Sequence, residues 1–271
     1  MSDIYSAILQ AQQAQTSAAL CTVIRASGSA PRHSTSKMLV YADGRFTGTI
    51  GGGEMENRVI ELAKQIARTG QAQVVEYNLV DPKQGDPGVC GGTVEIFVEP
   101  INPPPQVIIV GAGHVGRATA YLAKWLGFRV IVNDDRSDLV SPEWIPNADA
   151  YLTGSLVDQL DQAHIDPQTY LLLLTRGVQF DVAILPKLLD TEAAYIGVIG
   201  SKRRWATALK QLRDLGVPAE KLGRIHAPIG LELNAETPEE IAVSIMAEII
   251  MLRNQGTGKP MSNAQSMTNE K

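Results

Sequence analysis

A chain of 271 residues, 44% hydrophobic and 20% charged, can bury a sizeable core without disulfide staples, which excludes disorder of the whole chain. The formal net charge of -5, with Lys and Arg scattered along the sequence, argues against generic attraction to nucleic acid or anionic membrane and leaves room only for a local basic pocket. The opening segment lacks the basic start and apolar run of a signal peptide, and no stretch is apolar for long enough to span a bilayer, so a cytoplasmic protein is expected, with Cys21 and Cys90 as free thiols.

Ile4, Ile8, Ala11 and Ala14 recur at helical spacing and predict an opening amphipathic helix. A β-branched strand around Cys21 follows, then a loop, then two short strands joined at Ala42-Asp43-Gly44. Gly51-Gly52-Gly53 precedes a helix whose apolar face is Val59, Ile60, Ala63, Ile66 and Ala67, stopping near Gly70. Two further strands complete an α+β domain over residues 1–101. Asn102-Pro103-Pro104-Pro105 suits neither helix nor sheet interior and marks a boundary. Five largely buried strands then alternate with helix-length connections, which predicts a parallel-sheet, Rossmann-like domain over residues 102–252. Its last helix starts at Pro238 with Thr237 as N-cap and Glu240 at N3. The polar residues 253–271 read as a flexible tail. The fold class expected is therefore α/β: an N-terminal α+β domain followed by a Rossmann-like domain.

Gly111-Ala112-Gly113-His114-Val115-Gly116 lies between a strand and a helix, the context a dinucleotide fingerprint requires. There Gly111 permits the turn, Gly113 lets backbone approach a pyrophosphate, and Gly116 lets helix and strand pack closely. Asp134 and Asp135 end the next strand, where an acidic residue holds ribose hydroxyls. An acidic pair opposes a 2′-phosphate, so NAD or another adenine nucleotide with a plain ribose is expected over NADP. His114 either touches a ligand or is satisfied by solvent, and Arg136 either pairs with phosphate or solvates the surface. Thr175-Arg176-Gly177 with Asp181 stands at the end of the fourth strand, where ligands collect in open parallel sheets. Lys202, Arg203 and Arg204 at the next strand-to-helix junction suit a phosphate or simply a solvated helix face.

In the first domain, Ser27-Gly28-Ser29-Ala30-Pro31-Arg32 with Lys37, Gly51-Gly52-Gly53-Glu54 with Glu56, and Cys90-Gly91-Gly92 are the informative segments. Glycines before a helix can present consecutive amides to an oxyanion, which Arg32 and Lys37 would neutralise, while Glu54 would cap the helix or accept from a heterocycle. Structural turns explain the same glycines. Cys90 beside a glycine pair is either an exposed thiol with converging amides or a buried small side chain, and Cys21, inside a strand, is expected in the core. The dispersed histidines offer no local metal site, so none is expected.

Taken in order, these segments resemble the XdhC/CoxI family of xanthine dehydrogenase accessory proteins, from CTVIRASGSAPRHSTSKMLV through GRFTGTIGGGEMENRV and CGGTVEIFVEP to QVIIVGAGHVGRATAYLAKWLGFRVIVNDDR and RIHAPIGLELNAETPEEIAVSIMAEII. The resemblance implies a molybdenum cofactor (molybdopterin) chaperone. Such a protein supports sulfuration with a cysteine desulfurase and delivers the cofactor to an apo-xanthine dehydrogenase or related molybdenum hydroxylase, commonly as a homodimer. It implies cofactor-binding roles for Ser29, Arg32, Gly51 to Glu54, and Cys90 to Gly92, and a nucleotide-binding turn at Gly111, Gly113, His114 and Gly116. Two departures stand out: Thr175-Arg176-Gly177 where the family often has a Thr-His-Asp-like stretch, and Met55 where Leu is common before Glu56. The alternatives are an NAD-dependent oxidoreductase, for which no proton-transfer pair stands out, and a non-catalytic assembly scaffold.

Overall fold

A computed structural model describes residues 4–28, 35–78, 92–163 and 165–262. Ser29, Arg32, Cys90 and Gly91 lie outside the described residues. The chain divides into two compact units, Met1–Pro103 and Pro104–Lys271.

In the first unit, helix α1 (Ile4–Gln13) leads into strands β1 (Ala18–Gly28), β2 (Lys37–Tyr41) and β3 (Phe46–Gly48), then helix α2 (Gly53–Thr69) and strands β4 (Gln73–Asn78) and β5 (Gly92–Ile101). The sheet order is β3-β2-β1-β5-β4, antiparallel throughout. Strand alternation divides the side chains between two faces. Ala19, Cys21, Val23, Met38, Val40, Ile96 and Val98 turn to one face and are buried under the Met55, Val59, Ala63, Ile66 and Ala67 face of α2. Ala18, Leu20 and Leu39 turn to the other, against Ala7 and Ala11 of α1. Gly70 ends α2 in the left-handed conformation, its amide donating to Ile66 O, as the sequence predicts.

The second unit runs β6 (Gln106–Val110), α3 (His114–Trp125), β7 (Arg129–Asp134), β8 (Ala150–Thr153), α4 (Leu160–Ala163), β9 (Thr169–Leu173), α5 (Val178–Leu188), β10 (Tyr195–Val198), α6 (Lys202–Asp214), α7 (Ala219–Leu222), β11 (Ile225–His226) and α8 (Pro238–Arg253). All pairings in its sheet are parallel, in the order β11-β10-β9-β6-β7-β8. Strands one to three run outward to one side of β6 and four to six to the other, which is the doubly wound order of Rossmann domains and sets a crevice beyond the ends of β6 and β9. Val107, Ile109, Val130 and Leu172 pack under α3 and α8, while Ile108, Val110, Leu171 and Leu173 pack under α5 and α6. Covering on both faces explains why β6 and β9 are buried at every position. The sheet has one strand more than the sequence predicts, because β11 is only two residues long and too short to carry a periodic signal. The edge strand β8 is half-buried, unlike the central strands.

At α8 the predicted capping box is present: Thr237 Oγ1 accepts from Glu240 N at 3.2 Å, and Glu240 Oε2 accepts from Thr237 N at 3.1 Å. No helix among the described residues is long and apolar enough to cross a membrane.

Candidate functional site

The second unit's crevice is built on the glycine turn. Gly111 takes φ +114°, and a Cβ there would lie 2.4 Å from Leu174 O, so the left-handed backbone and the neighbouring strand both demand glycine. A Cβ on Gly116 would lie 2.0 Å from Gly111 O, which makes it the contact glycine between α3 and the turn. Around Gly113 nothing stands within 4 Å of a Cβ position, so its backbone is approachable. The turn is pinned through Ala112, whose amide donates to Asp134 Oδ2 at 2.7 Å and whose carbonyl accepts from Trp144 Nε1 at 2.7 Å.

Asp134 is therefore already engaged. Besides Ala112 N it accepts from Arg136 N at 3.0 Å, Arg136 Nε at 2.9 Å and Arg136 Nη2 at 2.8 Å, four donors for a side chain only 3% exposed. Burial alone would raise this carboxyl, but the hydrogen bonds from Arg136 and Ala112 outweigh it and hold the group well below the usual carboxylate range. Asp135 is half exposed and forms a two-pronged pair with Arg176, at 2.9 and 2.7 Å.

These residues rim a cavity of about 530 Å³. Its floor and walls are Val110, Leu156, Val157, Phe180, Ala183 and Ile184, and its polar edge is Asp135, Arg136, Arg176 and Lys187. The Arg176 guanidinium lies over the Phe180 ring, 4.5 Å from its centre. Lys187 Nζ has no hydrogen-bond or ion-pair partner among the described residues.

His114 is directed elsewhere. It lies edge-on to Trp144 and lines a second cleft, of about 650 Å³, with Arg117, Tyr121, Ile145, Asn147 and Val243. Arg117 stacks over Trp144, 4.7 Å from the ring centre. The crevice thus brings Gly111, Asp134 and Asp135 together but not His114.

At the end of β9, Thr175 donates to buried Asp181 at 2.5 Å, and Arg204 Nη2 reaches both, at 2.8 and 2.7 Å. Burial raises the Asp181 carboxyl, with Thr175 and Arg204 partly offsetting it. Arg204 is thus turned inward, with its buried Nε lacking a partner, and Ser201 caps α6. A network that sequence reasoning missed joins Tyr195, whose hydroxyl donates to Glu248 at 2.6 Å, the Gly230 amide, which donates at 2.6 Å, and His226, 3.2 Å away. A single carboxylate among Ile245, Met246 and Ile249 on α8 was the signal available for it.

In the first unit, Gly51, Gly52 and Gly53 all have positive φ, at 145°, 83° and 73°. The amides of Ile50 and Gly52 and the Thr49 hydroxyl point to the Glu56 carboxylate rather than outward. Nothing stands within 4 Å of a Cβ position on Gly52 or Gly53, so the start of α2, without a side-chain cap, is an open backbone ledge. Glu54 pairs with Arg58 at 3.2 Å on the surface, and Lys37 Nζ donates to Thr22 Oγ1 at 3.0 Å. Gly28 and Gly92 are partners at the end of the β1–β5 ladder, the points where the chain enters the segments carrying Ser29 and Arg32 and leaves those carrying Cys90 and Gly91. Cys21 is fully buried, its thiol pushed up to about 12 by burial and by Glu56. No cluster of His, Cys, Asp or Glu suited to a metal ion occurs among the described residues.

Residues 107–249 match the XdhC Rossmann domain and residues 11–78 the XdhC and CoxI family. The chain is 36% identical over 247 residues to the uncharacterized protein YqeB of Escherichia coli (strain K12), covering 89% of this chain and 44% of that protein. It is 34% identical over 163 residues to a probable xanthine dehydrogenase subunit from Bacillus subtilis (strain 168), covering 60% of this chain and 47% of that one. It therefore spans less than half the length of these two relatives. Over 268 residues it is 23% identical to the molybdenum cofactor insertion chaperone PaoD of Escherichia coli (strain K12), covering 87% of this chain and 83% of PaoD. A crystal structure from Bacillus halodurans described as a xanthine dehydrogenase shares the fold, with a TM-score of 0.51, 23% identity and 98% of each chain covered.

Proposed function

The chain belongs to the XdhC and CoxI family, and on that premise we propose that it binds molybdenum cofactor as cargo. It holds the cofactor away from water, supports its sulfuration by a cysteine desulfurase, and releases it to an apo-xanthine dehydrogenase or related molybdenum hydroxylase. The observation that carries this reading is the open ledge at the start of α2, where left-handed Gly52 and Gly53 leave the first-turn amides approachable. Unpaired amides at the start of a 17-residue helix suit the pterin's phosphate. Arg32 and Lys37 supply neutralising charge, and Cys90 supplies a soft ligand toward molybdenum or sulfur. Glu56 keeps the inner amides occupied, so the ledge offers only its outer ones, which suits a cargo that must be given up again. A homodimer is part of the same reading.

The test is anaerobic binding of molybdenum cofactor to the full chain, followed by transfer to an apo-hydroxylase. Binding that saturates and is relieved on adding the apo-enzyme is expected, with Arg32→Ala weakening it about tenfold. Failure to bind any form of the cofactor refutes the reading.

A further inference from the structure

The crevice of the second unit has the strand order, glycine turn and position of a site for NAD, yet its residues do not fit that ligand. A plain ribose is held by two hydroxyls donating to a free carboxylate at the end of the second strand. Asp134 stands at that place, but its acceptor positions are filled by Ala112 N and by three donors of Arg136. A ribose diol would have to displace Arg136 from Asp134, leaving a carboxylate only 3% exposed without its partner.

What faces the cavity instead is cationic. Arg136 spends Nε and Nη2 on Asp134, and no partner is seen for its Nη1 among the described residues. Arg176 neutralises Asp135, the remaining carboxylate of the rim, and Lys187 adds a charge without a partner. Three cations thus meet two carboxylates, both already paired. Beneath this rim the slot between Leu156, Val157, Phe180 and Ile184 is aliphatic and aromatic. Adenine, which lacks the carbonyl oxygens of the other bases, is the base such walls accommodate at least cost in unpaired polar groups.

We propose that this crevice binds an adenine nucleotide whose ribose carries a phosphate, with Arg136 and Arg176 gripping that phosphate, and that it discriminates against the plain ribose of NAD. This reverses the expectation drawn from the acidic pair in the sequence, and it stands apart from the cofactor reading of the first unit. The phosphorylated ribose could belong to a 2′-phosphorylated dinucleotide or to a 3′-phosphorylated adenosine carrier, which share this chemistry.

Calorimetry on the full chain with AMP, adenosine 2′,5′-bisphosphate and adenosine 3′,5′-bisphosphate separates these sources. One bisphosphate should bind at least about tenfold more tightly than AMP, the return for one added charge-assisted contact. A preference for the 2′ or the 3′ compound identifies the source, and either upholds the proposal. AMP binding as tightly as both, or no binding by any of the three, overturns it. Arg136→Ala should close the gap to within about threefold and, by freeing Asp134, improve NAD binding relative to wild type. Arg176→Gln, at a half-exposed side chain, should narrow the same gap if the first variant fails to fold, and an unchanged gap in whichever variant folds overturns the assignment. Because no molybdenum cofactor enters this experiment, its failure leaves the first unit's reading untouched.

Discussion

Gly116→Ala tests whether the glycine turn is held by direct contact between backbone segments. The added methyl carbon would lie 2.0 Å from Gly111 O and 3.4 Å from Ile109 Cγ2. A carbon normally stays roughly 3.3 Å from a carbonyl oxygen, so α3 and the turn must separate by about 1 Å. The obstacle is main chain clamped by the Gly111 N to Asn133 O bond at 2.8 Å and by Ala112 on Asp134, and cannot swing aside as a side chain would. Overpacking costs about 1–3 kcal/mol, and a rigid obstacle places this variant near the upper end, ~3 kcal/mol. For a unit of this size each kcal/mol moves the melting midpoint by about 2–4 °C, so a loss of about 6–12 °C is expected. The three tryptophans, Trp125, Trp144 and Trp205, all lie in Pro104–Lys271, so intrinsic fluorescence follows this unit alone. Gly113→Ala is the control: its φ of -66° suits any residue, and the space beside it is open. It should melt within about 2 °C of wild type, since surface changes stay near 0.5 kcal/mol. If Gly116→Ala also melts within that margin, the contact argument is wrong.

Glu56→Ala should destabilise the first unit by about 1–3 kcal/mol by leaving the Ile50 and Gly52 amides without their acceptor; circular dichroism should detect this while the fluorescence transition stays in place. Burial would raise the Glu248 carboxyl, but His226, Tyr195 and the Gly230 amide hold it below its ordinary value. Its stabilisation is therefore present above the unfolded value, near pH 4.5, and lost as pH falls through the lower folded value. Denaturant midpoints from tryptophan fluorescence should drop across that acid window in wild type and drop less steeply in Glu248→Gln; parallel acid limbs would contradict the assignment. Cys21, with its thiol pushed up to about 12, should resist alkylation in the folded protein at pH 8 and react only on unfolding, and peptide mapping that finds it labelled in native protein would refute its placement.

What could be read from the sequence was local in the chain. The strand, glycine turn and helix over residues 106–125, the Thr237–Glu240 capping box and the stop at Gly70 each depend on neighbours within a few positions, where residue type alone sets the backbone. The side-chain commitments at the site were not local. Asp134 reads as a free ribose acceptor until Ala112, twenty-two positions earlier, is seen to donate to it. Arg204 reads as surface charge, yet it turns in to Asp181, twenty-three positions away. His114 belongs to the fingerprint by spacing, but its position at the start of α3 directs it toward Trp144 and away from the crevice. Pairings of this kind depend on how separate elements come together, and no periodicity records them.

The two peptide units that meet at Ala112 are each fastened, one by its N–H to a carboxylate and the next by its C=O to an indole. Most phosphate loops stiffen as they close on a ligand and lose freedom in doing so. Here that freedom is already gone before any ligand arrives, so little ordering remains to oppose binding. The same fastening leaves the turn few alternative shapes, and a ligand of the wrong length would find no adjustment to meet it.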